Sequence, residues 1–266
     1  FGSKVNSPDA MLFFHRMTPD FETGKVARDE TIFLHDPDHA VPFRIANEST
    51  ESRYLTGADF DPESIQYLDG EIWIGEEFGP YILRVALDGR VLDVFTTMLD
   101  GEVINGPDTP GVTVPAQAGK EFRVQRSGGY EGMALQPETG LLWAMLEKPL
   151  LVEGGELEGD FLRVITFDTK AKDWTGESYK FKLAEGAKAI GDFNFIDNTR
   201  ALGAEVVLAV DISSAPEGNP ASGSLQVLLQ TFAIMGQSIN RHELAGADVV
   251  VRPALSGVGS ADFTAR

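Results

Sequence analysis

Residues 61–92, DPESIQYLDGEIWIGEEFGPYILRVALDGRVL, occur a second time in altered form at residues 129–174, GYEGMALQPETGLLWAMLEKPLLVEGGELEGDFLRVITFDTKAKDW. The equivalent pairs are Glu63 with Glu131, Trp73 with Trp143, Glu77 with Glu147, Arg84 with Arg163, and Asp88 with Asp168. A third copy begins at residues 189–202, AIGDFNFIDNTRAL, where Asp192 takes the place of Glu131. The chain is therefore built from a repeated unit.

Each copy predicts four short strands, with an acidic residue at the end of the second strand and turn residues between strands. Evenly spaced short strands occur in sandwiches, barrels and propellers. A repeated four-stranded unit favours the blades of a propeller, although a chance resemblance between hairpins is the alternative. We therefore expect a mainly β protein, a partial and open β-propeller with three to four blade-like units before residue 200.

Three segments carry a specific resemblance: YLTGADFDPESIQ (54–66), SGGYEGMAL (127–135) and IGDFNFID (190–197). They resemble the family called esterase-like activity of phytase, a group of secreted bacterial β-propeller proteins. The resemblance covers residues 1–202, the first predicted domain. It implies a hydrolase of ester or phosphoester substrates that is periplasmic or secreted. In that family further blades follow the third copy, and this sequence does not continue in that way.

Residues 203–266 have a different pattern, which predicts a second, small domain. EVVLAVDI (205–212) and ADVVVRP (247–253) are apolar runs typical of buried parallel strands. Between them, apolar residues recur at the spacing of an α-helix. We expect a βαβ unit, and the segment resembles the C-terminal end of bacterial patatin-like phospholipases. Since it has neither the G-x-S-x-G nor the D-G-G or D-G-A motif of those enzymes, we expect no lipase activity from this apparent fusion.

The composition limits which kinds of binding partner the protein can have. Among 266 residues, 41 are acidic and 22 are basic, which gives a net charge of −19. Such a protein repels nucleic acid and anionic membranes, so we expect neither as a partner. No apolar run reaches the length of a membrane span, and the chain has no cysteine. Because the sequence starts at Phe1 without a signal-type segment, we expect a mature, trimmed or fragmentary product.

Acidic residues at equivalent blade positions predict a metal site. Equivalent positions of successive blades surround the central channel, and converging carboxylates repel one another unless a cation lies among them. Hard oxygen ligands favour Ca²⁺, with Mg²⁺ as the alternative. The candidate metal ligands are Asp59, Asp61, Glu63, Glu131 and Asp192. The alternative is that these acids accept hydrogen bonds from turn amides.

The same repeat supplies candidate catalytic residues for the hydrolysis of a small-molecule ester or phosphoester substrate. Glu77 or Glu147 is the candidate general base beside a metal-bound water. Arg126 and Arg84 are candidates for binding an anionic substrate, although the repetition of Arg84 as Arg163 also fits a role in blade packing. Two other functions stay open: a non-catalytic propeller that binds a cation or ligand, and a fusion product without an evolved function.

Overall fold

The computed structural model describes residues 7–110, 122–183, 190–203, 208–210 and 249–251. In these ranges the regular elements are strands, apart from one 3₁₀ turn at Glu153–Gly155. The strands are β1 (Phe13–Asp20), β2 (Lys25–Phe33), β3 (Pro62–Leu68), β4 (Glu71–Glu76), β5 (Tyr81–Ala86), β6 (Val91–Thr96), β7 (Met98–Leu99), β8 (Glu102–Val103), β9 (Tyr130–Leu135), β10 (Leu141–Leu146), β11 (Phe161–Asp168), β12 (Asp173–Lys182), β13 (Phe193–Asp197), β14 (Arg200–Gly203), β15 (Leu208–Val210) and β16 (Val249–Val251).

Two four-stranded antiparallel sheets correspond to the first two sequence repeats. The strand order is β3-β4-β5-β6 in the first blade and β12-β11-β10-β9 in the second, so each strand pairs with its neighbours in sequence. The first hairpin shows how local chemistry sets this order. Asp69 and Gly70 both have positive φ, at 51° and 86°, which matches the right-handed twist of a two-residue hairpin turn.

Two smaller units flank these blades. Strands β13 and β14 form a hairpin where the third repeat begins. At the other end, three N-terminal segments are joined in a ring of backbone hydrogen bonds, each 2.9 Å long, among Leu12, Leu34 and Leu55. His35 joins this unit to the first blade, since it donates to the Gly89 carbonyl and accepts from the Val91 amide.

The blades pack face to face, and their apolar side chains form the core. One face of the first blade packs against the second blade through Trp73, Tyr130 and Phe167, all nearly inaccessible to solvent. Its other face packs against the N-terminal segments, and the second blade packs against β13. The first strands lie side by side, because Gln66 of β3 donates to the Met133 carbonyl of β9 (2.7 Å) and to Asn194 Oδ1 of β13 (3.0 Å).

The described residues thus form a partial, open β-propeller with two complete blades and two blade-like units, which confirms the mainly β fold expected from the repeats. The chain divides into two compact units, one of Phe1–Met17 with Arg28–Glu205 and one of Thr18–Ala27 with Val206–Arg266. In the second unit β15 and β16 form a parallel pair. The helix expected between them lies outside the described residues, and the domain boundary near residue 202 stays a prediction. Among the described residues no helix is long and apolar enough to cross a membrane.

A buried ion-pair cluster fixes the long segment that leads from β2 into the first blade. Arg53 Nη2 lies 3.1 Å from Asp36 Oδ2, and Arg53 Nη1 lies 2.8 Å from Glu48 Oε1. Asp36 also accepts hydrogen bonds from the amides of Ala40 and Val41. Because both charged partners Arg53 and Asp36 are buried, the cluster depends on each of them.

The buried hydroxyl of Thr97 connects the two blades, and its removal is expected to lower the free energy of unfolding. Thr97 Oγ1 lies 2.7 Å from the Tyr130 hydroxyl and donates to the Pro80 carbonyl at 2.8 Å. Thr97→Val keeps the shape but leaves these groups without a partner, so we expect a loss of about 1–3 kcal/mol in unfolding free energy. Urea denaturation measures the loss, with Thr139→Val at an exposed turn as the matched control. Equal midpoints for the two variants would contradict the role given to Thr97.

Candidate active site

The repeat places its acidic residues at the same structural positions in both blades. Glu63 and Glu131 are each the second residue of a first strand, and Glu77 and Glu147 each follow the last residue of a second strand. The backbone repeats as well: the Glu77 amide donates to the Asp61 carbonyl at 2.9 Å, and the Glu147 amide donates to the Gly129 carbonyl at 2.8 Å. The sequence equivalence is therefore a geometric one.

Five carboxylates meet where the two blades adjoin. Asp61, Glu63 and Glu77 each place a carboxylate oxygen within 4.8 Å of the others, and so do Glu77, Glu131 and Glu147. Glu77 belongs to both groups. Asp61 and Glu77 are buried, Glu131 and Glu147 are partly buried, and Glu63 is exposed, so the cluster is open to solvent on the side of Glu63.

Mutual repulsion and burial shift the titration of this cluster. Burial is the main cause that raises the pKa of Glu77 to about 7, and the charges of Asp61, Glu147 and Glu63 act in the same direction. Burial, followed by the charges of Glu63 and Glu147, likewise raises the pKa of Glu131 to about 7. The pKa of Glu63 is also raised, first by burial and then by Asp61. Burial and mutual repulsion therefore both favour the protonated form of these carboxylates.

Lys148 is the cation that lowers the pKa of Glu77 and Glu131. Its Nζ lies 3.1 Å from Glu147 Oε2 and also donates to the carbonyl oxygens of Ser127 and Arg126. This geometry commits the ammonium to Glu147 and to the preceding loop. It therefore offsets one of the five negative charges.

The loop that carries Glu77 is held rigidly. Glu76, which is fully buried, accepts hydrogen bonds from the amides of Phe78 (3.0 Å), Gly79 (2.7 Å) and Tyr81 (2.8 Å). Thr109 Oγ1 donates to the Gly79 carbonyl at 2.7 Å. A side chain at Gly129 would overlap the Glu77 carbonyl, so only glycine allows the second blade to approach this closely. Glu77 therefore has a fixed position.

Other candidates from the sequence lie in different surroundings. Asp59 accepts backbone hydrogen bonds from Ala46 at 2.7 Å and Thr56 at 2.8 Å, so its oxygens hold a loop, and it belongs to neither group of converging acids. Asp192 is exposed and accepts from the Phe193 amide and the Asn194 side chain. Neither residue meets the five converging carboxylates in this structure.

The two arginine candidates differ. Arg126 is largely exposed in the loop before β9, and its Nη1 lies 2.5 Å from Asp108 Oδ1. Arg84 forms ion pairs with Glu71 and Asp93 of its own blade, and Arg163 pairs with Glu158. The structure therefore favours blade packing for Arg84 and Arg163, and it pairs Arg126 with Asp108 instead of with the converging carboxylates.

Sequence reasoning missed Glu76 and Lys148. Leu146 occupies the position equivalent to Glu76 in the second blade, so comparison of the repeats does not single out Glu76. The one signal available was the doubled acid at 76–77, since a carboxylate at the end of a buried strand needs hydrogen-bond donors close by. Lys148 follows Glu147 directly, but its role depends on the path of the loop before β9.

Comparison with known proteins adds two findings. The family model described as phytase-like, esterase-like activity of phytase, matches residues 1–205. An uncharacterized secreted protein of Arthroderma benhamiae is 24% identical over 97 residues, which cover 33% of this chain and 19% of that relative. The aligned part is thus about a fifth of the relative's length. The resemblance of residues 201–266 to patatin-like phospholipases has no support in these comparisons.

Proposed function

The chain belongs to the family described as esterase-like activity of phytase, and on this premise we propose that it hydrolyses ester bonds with the help of a divalent cation. The observation that carries the proposal is the meeting of five carboxylates around Glu77. Like charges at this separation raise one another's pKa, and a divalent cation among them removes that cost. Export of the protein is part of the proposal, and the secreted relative supports it.

The donor set fits a hard cation. Every side chain in the two groups offers carboxylate oxygen, which favours Ca²⁺, with Mg²⁺ as the alternative. Asp61, Glu63 and Glu77 would hold the ion in one group, and Glu77, Glu131 and Glu147 in the other. Because Glu77 is common to both groups, it serves as a ligand in either case. This assigns Glu77 to cation binding and leaves proton transfer to a neighbouring carboxylate.

Proton transfer falls to the second blade in this proposal. A bound cation would polarise the ester oxygen and lower the pKa of a bound water. When Asp61, Glu63 and Glu77 hold the ion, Glu131 and Glu147 remain available to accept a proton, and their carboxylates lie beside each other. Lys148 orients Glu147 through its ion pair, and Arg126 is held by Asp108 on the loop before β9, so no step is assigned to it.

Hydrolysis of p-nitrophenyl acetate and p-nitrophenyl phosphate, each with Ca²⁺ or with a chelator, tests the proposal. We expect hydrolysis that depends on the cation, and a loss of about a hundredfold or more in Glu77→Gln because a shared ligand is removed. Glu138→Gln, at an exposed turn, is the matched control and should keep full activity. Calorimetry should show calcium binding by the wild type and by the control.

The outcomes separate the alternatives. Calcium binding without hydrolysis of any ester would indicate a non-catalytic cation-binding propeller. The absence of calcium and magnesium binding in a folded sample would contradict the shared cation site. Hydrolysis that survives both the chelator and Glu77→Gln would show that the reaction uses another part of the chain.

A further inference from the structure

Strand β3, the first strand of the first blade, presents a short apolar strip to solvent. Exposure alternates along β3, and Ile65 and Tyr67 are 52% and 62% exposed. Their cross-strand neighbours on β4 are Ile74 and Ile72, which are buried against the N-terminal segments. Since directly paired residues point to the same face of a sheet, Ile65 and Tyr67 extend an apolar face beyond the part that is covered.

This strip begins at the carboxylate cluster. Ile65 follows Glu63 by two residues, which is about 7 Å along an extended strand, and Tyr67 lies a similar distance further on. The opposite face of β3 is occupied by the second blade, because Gln66 bonds to the Met133 carbonyl and Leu68 packs into the core between the blades. Glu63, Ile65 and Tyr67 are the exposed residues of β3, so the strip is continuous with the exposed side of the cluster at Glu63.

The charge of the carboxylate cluster limits which substrates can bind beside the strip. The cluster brings five carboxylates together, and Lys148 is the described side chain whose positive charge acts on Glu77 and Glu131. Arg126 is already paired with Asp108. An acidic site on a chain of net charge −19 repels a multiply phosphorylated substrate and leaves an uncharged one unaffected.

We propose that Ile65 and Tyr67 bind the apolar acyl or aryl group of an uncharged carboxylic ester whose ester bond lies at the carboxylate cluster. The proposal rests on the hydrolase function proposed above and names its substrate class. The apolar group gains binding energy by covering the strip, and Tyr67 offers a ring face for an aromatic group. The strip selects the substrate, and the carboxylates carry out the chemistry.

The test compares the p-nitrophenyl esters of acetate, butyrate and hexanoate with p-nitrophenyl phosphate. We expect kcat/KM to rise by about two- to fourfold for each added methylene that covers the strip, and the phosphate to be the poorest substrate. Ile65→Ser and Tyr67→Ser should each flatten this dependence on chain length. Ile196→Ser is the matched control, since Ile196 is 55% exposed on β13 and should leave the dependence unchanged.

A binding measurement separates this proposal from the hydrolase proposal. Butyramide and hexanamide, which resist hydrolysis, should bind more tightly with increasing length in calorimetry, and Ile65→Ser should remove the trend. If that trend is found but no ester is hydrolysed, the strip stands and the hydrolase function fails. If esters are hydrolysed without any dependence on chain length, the hydrolase stands and the strip fails.

Two further results would overturn the inference. One is a phosphate ester hydrolysed faster than every uncharged ester, because the site would then favour anions. The other is a dimer in size-exclusion chromatography that Ile65→Ser dissociates and Ile196→Ser does not. The strip would in that case be an interface between copies of the chain.

Discussion

Raising the pH from about 5 to about 8 without divalent cations is expected to destabilise the protein by roughly 2–4 kcal/mol. Glu77 and Glu131 have a pKa of about 7 in the folded state, against 4.5 for an ordinary glutamate. The folded state therefore holds more protons than the unfolded state between these values. The contribution of these two groups to stability is fully present below pH 4.5, and it is lost as the pH rises through about 7. The range allows for screening by solvent at a partly exposed site.

Calcium is expected to reverse this loss at high pH and to have little effect at low pH. Ionised carboxylates bind the cation, and at a concentration 100 times the dissociation constant the folded state gains about 2.7 kcal/mol. At about pH 5 the proton competes with the cation for the same oxygens. Thermal unfolding at both pH values, with Ca²⁺ or with a chelator, measures the difference.

The double variant Glu77→Gln, Glu131→Gln provides the control for this experiment. It should lose the response to calcium and most of the pH dependence, with Glu138→Gln behaving as the wild type. Glu76, whose pKa burial raises to about 8, acts in the same direction and should leave a residual slope. A calcium effect of equal size at both pH values would contradict the assignment to these carboxylates.

Arg53→Met is expected to destabilise the protein by about 3–5 kcal/mol. Asp36 is 0% exposed and Arg53 is 3% exposed, so methionine fills the space but leaves the Asp36 carboxylate without its charged partner. Loss of the ion pairs made by Arg53 should also loosen the segment of chain that ends at Asp59 and Asp61. Denaturation with urea measures the free energy, and calorimetry shows whether calcium binding weakens as well.

Arg90→Met is the matched control for this variant. Arg90 pairs with Asp38 at 2.8 Å, but both side chains are well exposed, so the loss should stay below about 1 kcal/mol. Asp36→Asn combined with Arg53→Met should recover part of the stability, since the buried charge is then removed. If Arg53→Met and Arg90→Met cost the same, the buried cluster does not hold the segment.

The repeat allowed much of the fold and the convergence of four of the five carboxylates to be predicted from the sequence. Glu63 and Glu131 share one position of the repeat, Glu77 and Glu147 share another, and equivalent positions in neighbouring blades lie close together. Asp61 is predictable as well, because it directly precedes a first strand. These inferences need only the strand order within a blade.

The other residues depend on loops that do not repeat. Asp59 is two residues from Asp61, yet its oxygens accept hydrogen bonds from Ala46 and Thr56, which a long loop brings to it. Glu76 has Leu146 as its counterpart, so its role in holding the Glu77 loop has no equivalent in the second blade. Asp192 is at the predicted position of the third repeat, but it bonds to its own strand.

The sequential strand order of the blades has a consequence for how the chain folds during synthesis. Every strand of β3–β6 pairs with the strand before or after it, so the backbone hydrogen bonds of a blade close over short stretches of chain. Such local contacts form quickly, and a growing chain can complete the first blade before the second has left the ribosome. Native-state hydrogen exchange should then group the amides blade by blade, with Gln66 as one of the few side chains that link neighbouring groups.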